Sequence, residues 1–310
     1  MSDTQQIKRQ STQVMTRHGN DLESLSEQCV VLSKINRRDK NEDSRLVFSL
    51  TPGGNQPPIQ VLAVADGMGG HDHGEDVSRE GLRRLSHALF DSLVVEPSLN
   101  HNTAPPITLE QLAQAVQSAL EQTNVNVRRM IEVNKWRKAG STLVSVAIFG
   151  DEAVATNLGD SPLFHFQARA QKLVQVTENH SVAGILLQGG QITPEMARVH
   201  EGRSQLEYYL GASKIPRTPP IYRLSLASDD ILLLCSDGIS GMLTEAEIAE
   251  ILGSGETLTD MAERLLAKAL EAGETDNQTL ILWRHVSRNP KSETTKTMTF
   301  GSPVVPSSTR

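Results

Sequence analysis

The sequence predicts an α+β fold, with antiparallel sheets covered by helices. Three observations predict it. Short apolar runs recur at 29–35, 45–50, 59–65, 141–149, 152–158, 162–166, 172–176, 221–226, 230–235 and 279–285, and such runs between turn residues read as strands. Tight turns such as Gly150-Asp151 join neighbouring runs, which implies hairpins. The order is strands, two long helices, strands and a mixed end, and not the strict alternation of a parallel sheet.

Taken from the N-terminus, residues 1–28 are polar, lack steady periodicity and read as a flexible leader. The domain runs over 29–286. Residues 75–93 and 108–132 carry apolar positions three and four apart, as helices do; in the second these include Leu109, Leu112, Val116, Leu120, Val127 and Ile131. Residues 92–107, with Pro97, Pro105 and Pro106, join the two as a loop. Residues 181–207 interrupt the strands and look like an inserted subdomain. Residues 244–252 and 257–272 read as helices, the first opened by Thr244-Glu245-Ala246-Glu247, a capping-box pattern. Residues 287–310 are rich in Ser, Thr and Pro and read as a disordered tail. Its Thr294, Thr295, Thr297 and Thr299 are candidate sites for a kinase.

Composition narrows the function. The two cysteines, Cys29 and Cys235, lie in apolar runs and read as buried small hydrophobes rather than a disulfide. That fits a reducing cytoplasm, and no run is long enough for a membrane helix. Net charge is −7, divided as −1 over 1–28, −9 over 29–286 and +3 over 287–310. An acidic body disfavours a nucleic-acid partner and suits cation binding.

The chemistry-bearing residues sit where apolar strands stop. Val61–Ala65 ends in Asp66-Gly67-Met68-Gly69-Gly70, Ile231–Cys235 in Ser236-Asp237-Gly238, and Val154–Leu158 in Gly159-Asp160-Ser161; Asp276-Asn277 precedes the strand from Gln278. An aspartate at a strand end projects its carboxylate beyond the sheet, and the following glycines allow a sharp turn. If the four ends converge, they form a pocket of hard oxygen ligands, which Mg²⁺ and Mn²⁺ prefer. No Cys/His cluster has zinc spacing. Arg38-Asp39-Lys40-Asn41-Glu42-Asp43 adds a phosphate-clamping guanidinium and an acidic pair. Singly, each motif also reads as an ordinary turn or a solvated charge run.

Together and in order, the motifs resemble the PPM family (type 2C) of metal-dependent Ser/Thr phosphatases in its bacterial form. They are Arg38-x-x-Asn41-Glu42-Asp43, Asp66-Gly67-Met68-Gly69-Gly70-His71, Gly140-Ser141-Thr142, Gly159-Asp160-Ser161 and Thr177-x-x-His180-Ser181. Gly190-x-Ile192-Thr193, Leu210-Gly211, Ser236-Asp237-Gly238 and Asp276-Asn277 follow. The resemblance implies a four-layer αββα sandwich with the site at one end. It implies two divalent cations, Mg²⁺ or Mn²⁺, bridged by Asp66, with Asp237 and Asp276 on one and the Gly67 carbonyl on the other. It makes Asp160 the ligand of a third cation. Glu42 and Asp43 orient water, Arg38 binds the substrate phosphate, and 181–207 forms a flap beside the cleft. The implied reaction is hydrolysis of phosphoserine or phosphothreonine on proteins by water activated between the cations, opposing a cognate Ser/Thr kinase.

Departures from the family pattern are Met68 for a histidine found in some relatives, Pro162 for an arginine, and Asn179 for an aspartate. His71 is then a candidate proton donor. A catalytically inactive phosphoprotein-binding relative would have lost a metal aspartate, and a two-metal nuclease would need a basic groove.

Overall fold

The computed structural model describes residues 22–26, 28–52, 56–68, 73–95, 106–216 and 218–286. Strand β1 spans Leu22–Ser26, β2 Cys29–Lys34, β3 Asp43–Leu50 and β4 Ile59–Met68. Helix α1 (Gly74–Phe90) runs into a π-helical turn (Asp91–Val95), and helix α2 (Leu109–Asn134) follows. Then come β5 (Gly140–Ser141), β6 (Leu143–Phe149), β7 (Glu152–Leu158), β8 (Leu163–Gln167) and β9 (Lys172–Gln175). Short helices α3 (Val182–Gln188) and α4 (Pro194–Val199) precede β10 (Tyr222–Ser225) and β11 (Ile231–Cys235). Helices α5 (Asp237–Ser240), α6 (Glu245–Leu252) and α7 (Leu258–Glu271) and strand β12 (Gln278–Arg284) complete the domain.

The strands form two sheets, ordered β1-β2-β12-β11-β8-β9 and β10-β7-β6-β4-β3, with β5 added to β4. Every pairing is antiparallel. Alternation along β4 shows how the layers arise. Val61, Ala63 and Ala65 face α1 and α2, whereas Leu62 and Val64 face the other sheet. β11 behaves likewise: Ile231, Leu233 and Cys235 pack with α5–α7, and Leu232 and Leu234 point between the sheets. A strand covered on both faces must be apolar at nearly every position, and β11 is buried throughout. The predicted sandwich of helices, two sheets and helices is what forms.

Caps set the helix starts. Thr244 and Glu247 exchange side-chain and backbone hydrogen bonds as the capping-box pattern predicts. A second box, Thr108 with Gln111, opens α2. Cys29 and Cys235 are buried and free, and burial pushes the Cys29 thiol up to about 12, so neither is a reactive thiolate.

The expected flexible leader over 1–28 is corrected at its end. β1 pairs with β2, with a register shift between Ser24 and Ser26. An edge strand is held by backbone hydrogen bonds to one neighbour, so it needs no apolar periodicity. The helix predicted to end at 93 runs into the π-helical turn, which takes in the first residues of the expected 92–107 loop. Residues 1–21, 96–105 and the 287–310 tail, with its threonines, lie outside the described residues. No helix among those described is long and apolar enough to cross a membrane.

Leu234 is fully buried between the sheets. Leu234→Ala is expected to lower stability by about 3 kcal/mol, the transfer loss plus an unfilled cavity. Urea unfolding checks this, with a lower midpoint at an unchanged slope as the expected result.

Candidate active site

Five strand ends meet at one end of the sandwich. β3 begins at Asp43 directly opposite Asp66 near the end of β4. Asp160 follows β7, Asp237 opens α5 just after β11, and Asp276 precedes β12. The sequence-predicted aspartates therefore share one end of the fold. Asp66 feels the charges of Asp43, Asp237, Asp160 and Asp276, in that order, after the larger effect of its burial.

Hydrogen bonds hold the carboxylates despite their repulsion. The Asp66 amide donates to Thr142 Oγ1 at 2.9 Å, and Thr142 Oγ1 lies 2.6 Å from Ser161 Oγ. Ser141 Oγ donates to the Asp66 carbonyl at 2.9 Å. Ser236 Oγ donates to Asp43 Oδ2 at 2.9 Å and accepts the Thr279 amide at 3.0 Å, which ties one sheet to the other. Asn277 accepts the Glu42 amide at 2.8 Å and donates to the carbonyls of Ile35 (3.0 Å) and Lys40 (3.1 Å). It thereby pins the whole Arg38–Asp43 loop.

Two glycines are required by space. A Cβ on Gly67 would lie 2.3 Å from the Gly74 carbonyl oxygen and 2.7 Å from that of Glu42. The Gly67 amide donates to that same Glu42 oxygen at 3.1 Å. Gly159 has a φ of 104° and presses on Thr142, so the turn that presents Asp160 admits no side chain.

The electrostatics are those of a cation site. Burial, helped by Asp237 and Asp276 and opposed by bonds from Thr279 and Ser236, pushes the Asp43 carboxyl up to about 7. Burial and Asp237 push Asp160 up to about 7 as well. Burial also raises Asp66 and Asp237, the latter partly offset by a hydrogen bond with the Asp66 carboxyl. Glu42 is raised by burial and by Glu75. Asp43 Oδ1 is buried with no hydrogen-bond partner among the described residues. A carboxylate cluster with an orphaned buried oxygen fits a divalent cation of oxygen preference. Among the described residues, no three His, Cys, Asp or Glu side chains form a ready-made metal cage. A cation that keeps most of its waters needs only one or two carboxylates, so this donor set suits Mg²⁺ or Mn²⁺ rather than a closed zinc site.

Arg38 stands at the mouth, half-exposed, and donates to Asp276 Oδ2 at 2.5 Å. The Asp276 loop is itself drawn in by Glu274 Oε1, which accepts the amides of Thr275 and Asp276, both at 2.6 Å. A cavity of about 340 Å³ lined by Gln60, Asp151, Trp283 and His285 lies at the opposite end of the strands and takes no part in this site.

The order and spacing of these groups agree with the comparisons. Residues 34–279 match the family model described as protein phosphatase 2C. The chain belongs to the protein phosphatase 2C family. It is 32% identical over 253 residues to the serine/threonine phosphatase stp of Listeria innocua serovar 6a, covering 81% of this chain and 92% of that one. The crystal structure of the serine/threonine phosphatase Stp1 from Staphylococcus aureus superposes with a TM-score of 0.69 at 27% identity, over 87% of this chain and 97% of that one. The catalytic domain of the serine/threonine protein phosphatase PstP, in complex with 2 manganese ions, gives a TM-score of 0.62 at 25% identity over 83% and 98%.

Within this 2C family member, the departures at Pro162 and Asn179 have local explanations. Pro162 stands just before β8, where the backbone offers its carbonyl to Cys235 and no amide is needed. Asn179 Oδ1 accepts the Ser181 amide at 2.8 Å, a role that an aspartate oxygen fills equally. His71 lies outside the described residues. The sequence missed Glu75, whose Oε1 accepts from Lys40 at 2.5 Å and whose Oε2 is buried without a partner among the described residues. Its only signal, Glu-Asp in the first turn of α1, is the ordinary composition of a helix start.

Carboxyls whose folded pKa lies above the unfolded value bind extra protons in the folded state. Stability from this cluster is therefore greatest below the unfolded value and is lost as pH rises through about 7. In EDTA, Tm is expected to rise as pH falls from about 8 to 6.5. Below that window His180 opposes the trend, because burial lowers it to about 4 and the folded state resists its protonation. Asp66→Asn, which removes one repelling charge, is expected to raise Tm in EDTA and to abolish any stabilisation by Mn²⁺. Differential scanning fluorimetry reads both.

Proposed function

We propose that this chain hydrolyses phosphoserine and phosphothreonine on proteins, using two Mg²⁺ or Mn²⁺ ions at the Asp66 cluster and opposing a Ser/Thr kinase. The observation that carries it is the convergence of Asp43, Asp66, Asp160 and Asp237, each raised by burial, with the partly exposed Asp276, which pairs with an accessible guanidinium. Phosphatase relatives that this chain matches over 92% and 97% of their length support the substrate class.

Asp66, Asp237, Asp276 and the Gly67 carbonyl would hold the two ions, and Asp160 a third. Bound divalent cations lower the pKa of water and neutralise charge on the phosphoryl group. The protein's own groups do the rest. Arg38 can leave Asp276 for a phosphate and grip it with two parallel N–H donors. Glu42 and Asp43 accept hydrogen bonds from the attacking water and orient it. Burial raises both carboxyls, and Asp43, pushed up to about 7, can also hold a proton near neutral pH. The described residues at these strand ends present no nucleophilic Cys or Ser: Cys235 is buried, and Ser236 and Ser161 are committed to Asp43 and Thr142. A direct attack by water follows. Residues 181–207, with α3 and α4, are proposed as the flap beside the cleft. A cytoplasmic setting suits a phosphatase that opposes a kinase.

Hydrolysis of a phosphothreonine peptide tests the proposal. Activity is expected with Mn²⁺ and lost in EDTA. Asp237→Ala should lower kcat/KM by about 10²–10³-fold. Arg38→Ala should lower it by about 10–100-fold, mainly by raising KM. Turnover that survives EDTA, or persists in Asp237→Ala, would refute the two-metal assignment.

A further inference from the structure

Residues 128–138 carry Arg128, Arg129, Lys135, Arg137 and Lys138 against a single acid, Glu132. That is net +4 within eleven residues of a chain whose net charge is −7. The last four form a loop after α2. Lys135 caps the helix at a φ of 56°, and Lys138 has a φ of 62°, so both stand in the left-handed region that side chains other than Gly and Asn seldom enter.

Lys135, Arg137 and Lys138 are exposed, and their side chains have no ion pair or hydrogen bond among the described residues. Several other cations are neutralised in place: Arg83 and Arg84 sit on Glu80, Arg223 on Glu110 and Arg264 on Glu256. A bare cationic loop on an acidic protein is a different kind of surface.

Its position links it to the site. Trp136, inside the loop, packs against the helix-side core and stacks on His73, with ring centroids 4.3 Å apart and planes 12° off parallel. His73 is the N-cap of α1 and bonds Asp76 at 3.0 Å. On the other side, Gly140 pairs with Met68 and Ser141 with Gly67. The loop is thus anchored to Gly67 and Met68 on one side and to His73 on the other. Thr142, whose Oγ1 accepts the Asp66 amide at 2.9 Å, comes four residues after Lys138, so Lys138 stands within roughly 14 Å of that contact, the reach of four residues at about 3.5 Å each. An extended peptide covers that distance in about four residues.

We propose that Lys135, Arg137 and Lys138 form a docking platform for anionic side chains, carboxylate or a second phosphate, about four residues from the phosphorylated residue of a protein substrate. The proposal rests on the phosphatase reading of the Asp66 site. A short substrate peptide spans only the Asp66 site and this loop, which receives its anionic position. A polynucleotide would also meet a remainder carrying net −11, which repels it.

The test uses the full chain with Mn²⁺ and four phosphothreonine peptides that differ only three to five residues from the phosphothreonine. These positions carry serine, aspartate, phosphoserine or lysine. The variant is Lys135→Asn/Arg137→Gln/Lys138→Asn, since Asn tolerates the left-handed backbone. Wild-type protein is expected to favour the aspartate or phosphoserine peptide over the serine peptide by about 10-fold in kcat/KM, mainly through KM. Added salt of about 0.2 M should shrink that preference. The variant should lose it while hydrolysing the serine peptide and p-nitrophenyl phosphate as before, and Lys135→Arg/Lys138→Arg should keep it. Preference for phosphoserine alone would name the second phosphate as the ligand. Equal rates on all peptides, or a preference that persists in the variant, overturn the platform and leave the phosphatase standing. No turnover of any substrate, p-nitrophenyl phosphate included, overturns both.

Discussion

Mutual repulsion among buried carboxylates is the constraint around which this end of the molecule is arranged. Asp43, Asp66, Asp160 and Asp237 are each raised by burial, and neighbouring carboxylates raise each of them further. Left to themselves they would swing into solvent. They stay because backbone and hydroxyl donors grip them, and because the backbone on either side is locked. A site of this kind is unstable when empty of positive charge and strongly drawn to it, which is the property a cation-dependent enzyme needs. The same tension appears wherever function requires like charges to be held together.

The two sheets share that burden. β3 and β4 bring Asp43 and Asp66 from one sheet, and β11 and β12 bring Asp237 and Asp276 from the other. Ser236 joins them, donating to Asp43 while accepting from Thr279. Packing of Leu62, Val64, Leu232, Leu234 and Ile281 between the sheets sets the separation at which those bonds can form. The apolar interior therefore acts at a distance on the chemistry, because a shift between the sheets would open the site before it unfolded the domain.

Much of this was legible in the sequence. Apolar runs closed by Asp-Gly marked Asp66 and Asp237, and their common punctuation suggested that the ends converge. The runs also placed nearly every strand to within one or two residues. The scaffold around the aspartates was not legible, because its bonds join residues far apart in the chain. Asp66 to Thr142 spans 76 positions, and Asp43 to Ser236 spans 193. No local pattern announces such pairs. β1 escaped because edge pairing is a backbone property. α3 and α4 escaped because they are too short for periodicity, although Ser181 and the Thr193-Pro194 step were cap signals in plain view. Glu75 escaped because acids are common in any first helical turn.

The Arg38–Asp276 ion pair has a consequence for the order of events. Each partner is the other's counter-charge, so neither is fully available while the pair persists. Whatever neutralises Asp276 frees the guanidinium, and whatever occupies the guanidinium frees Asp276. Occupancy of either seat thus prepares the other. By thermodynamic reciprocity the two ligands must raise each other's affinity by the same factor. A single exposed contact makes the mouth of the cleft a cooperative latch, in which the second arrival finds its place already cleared.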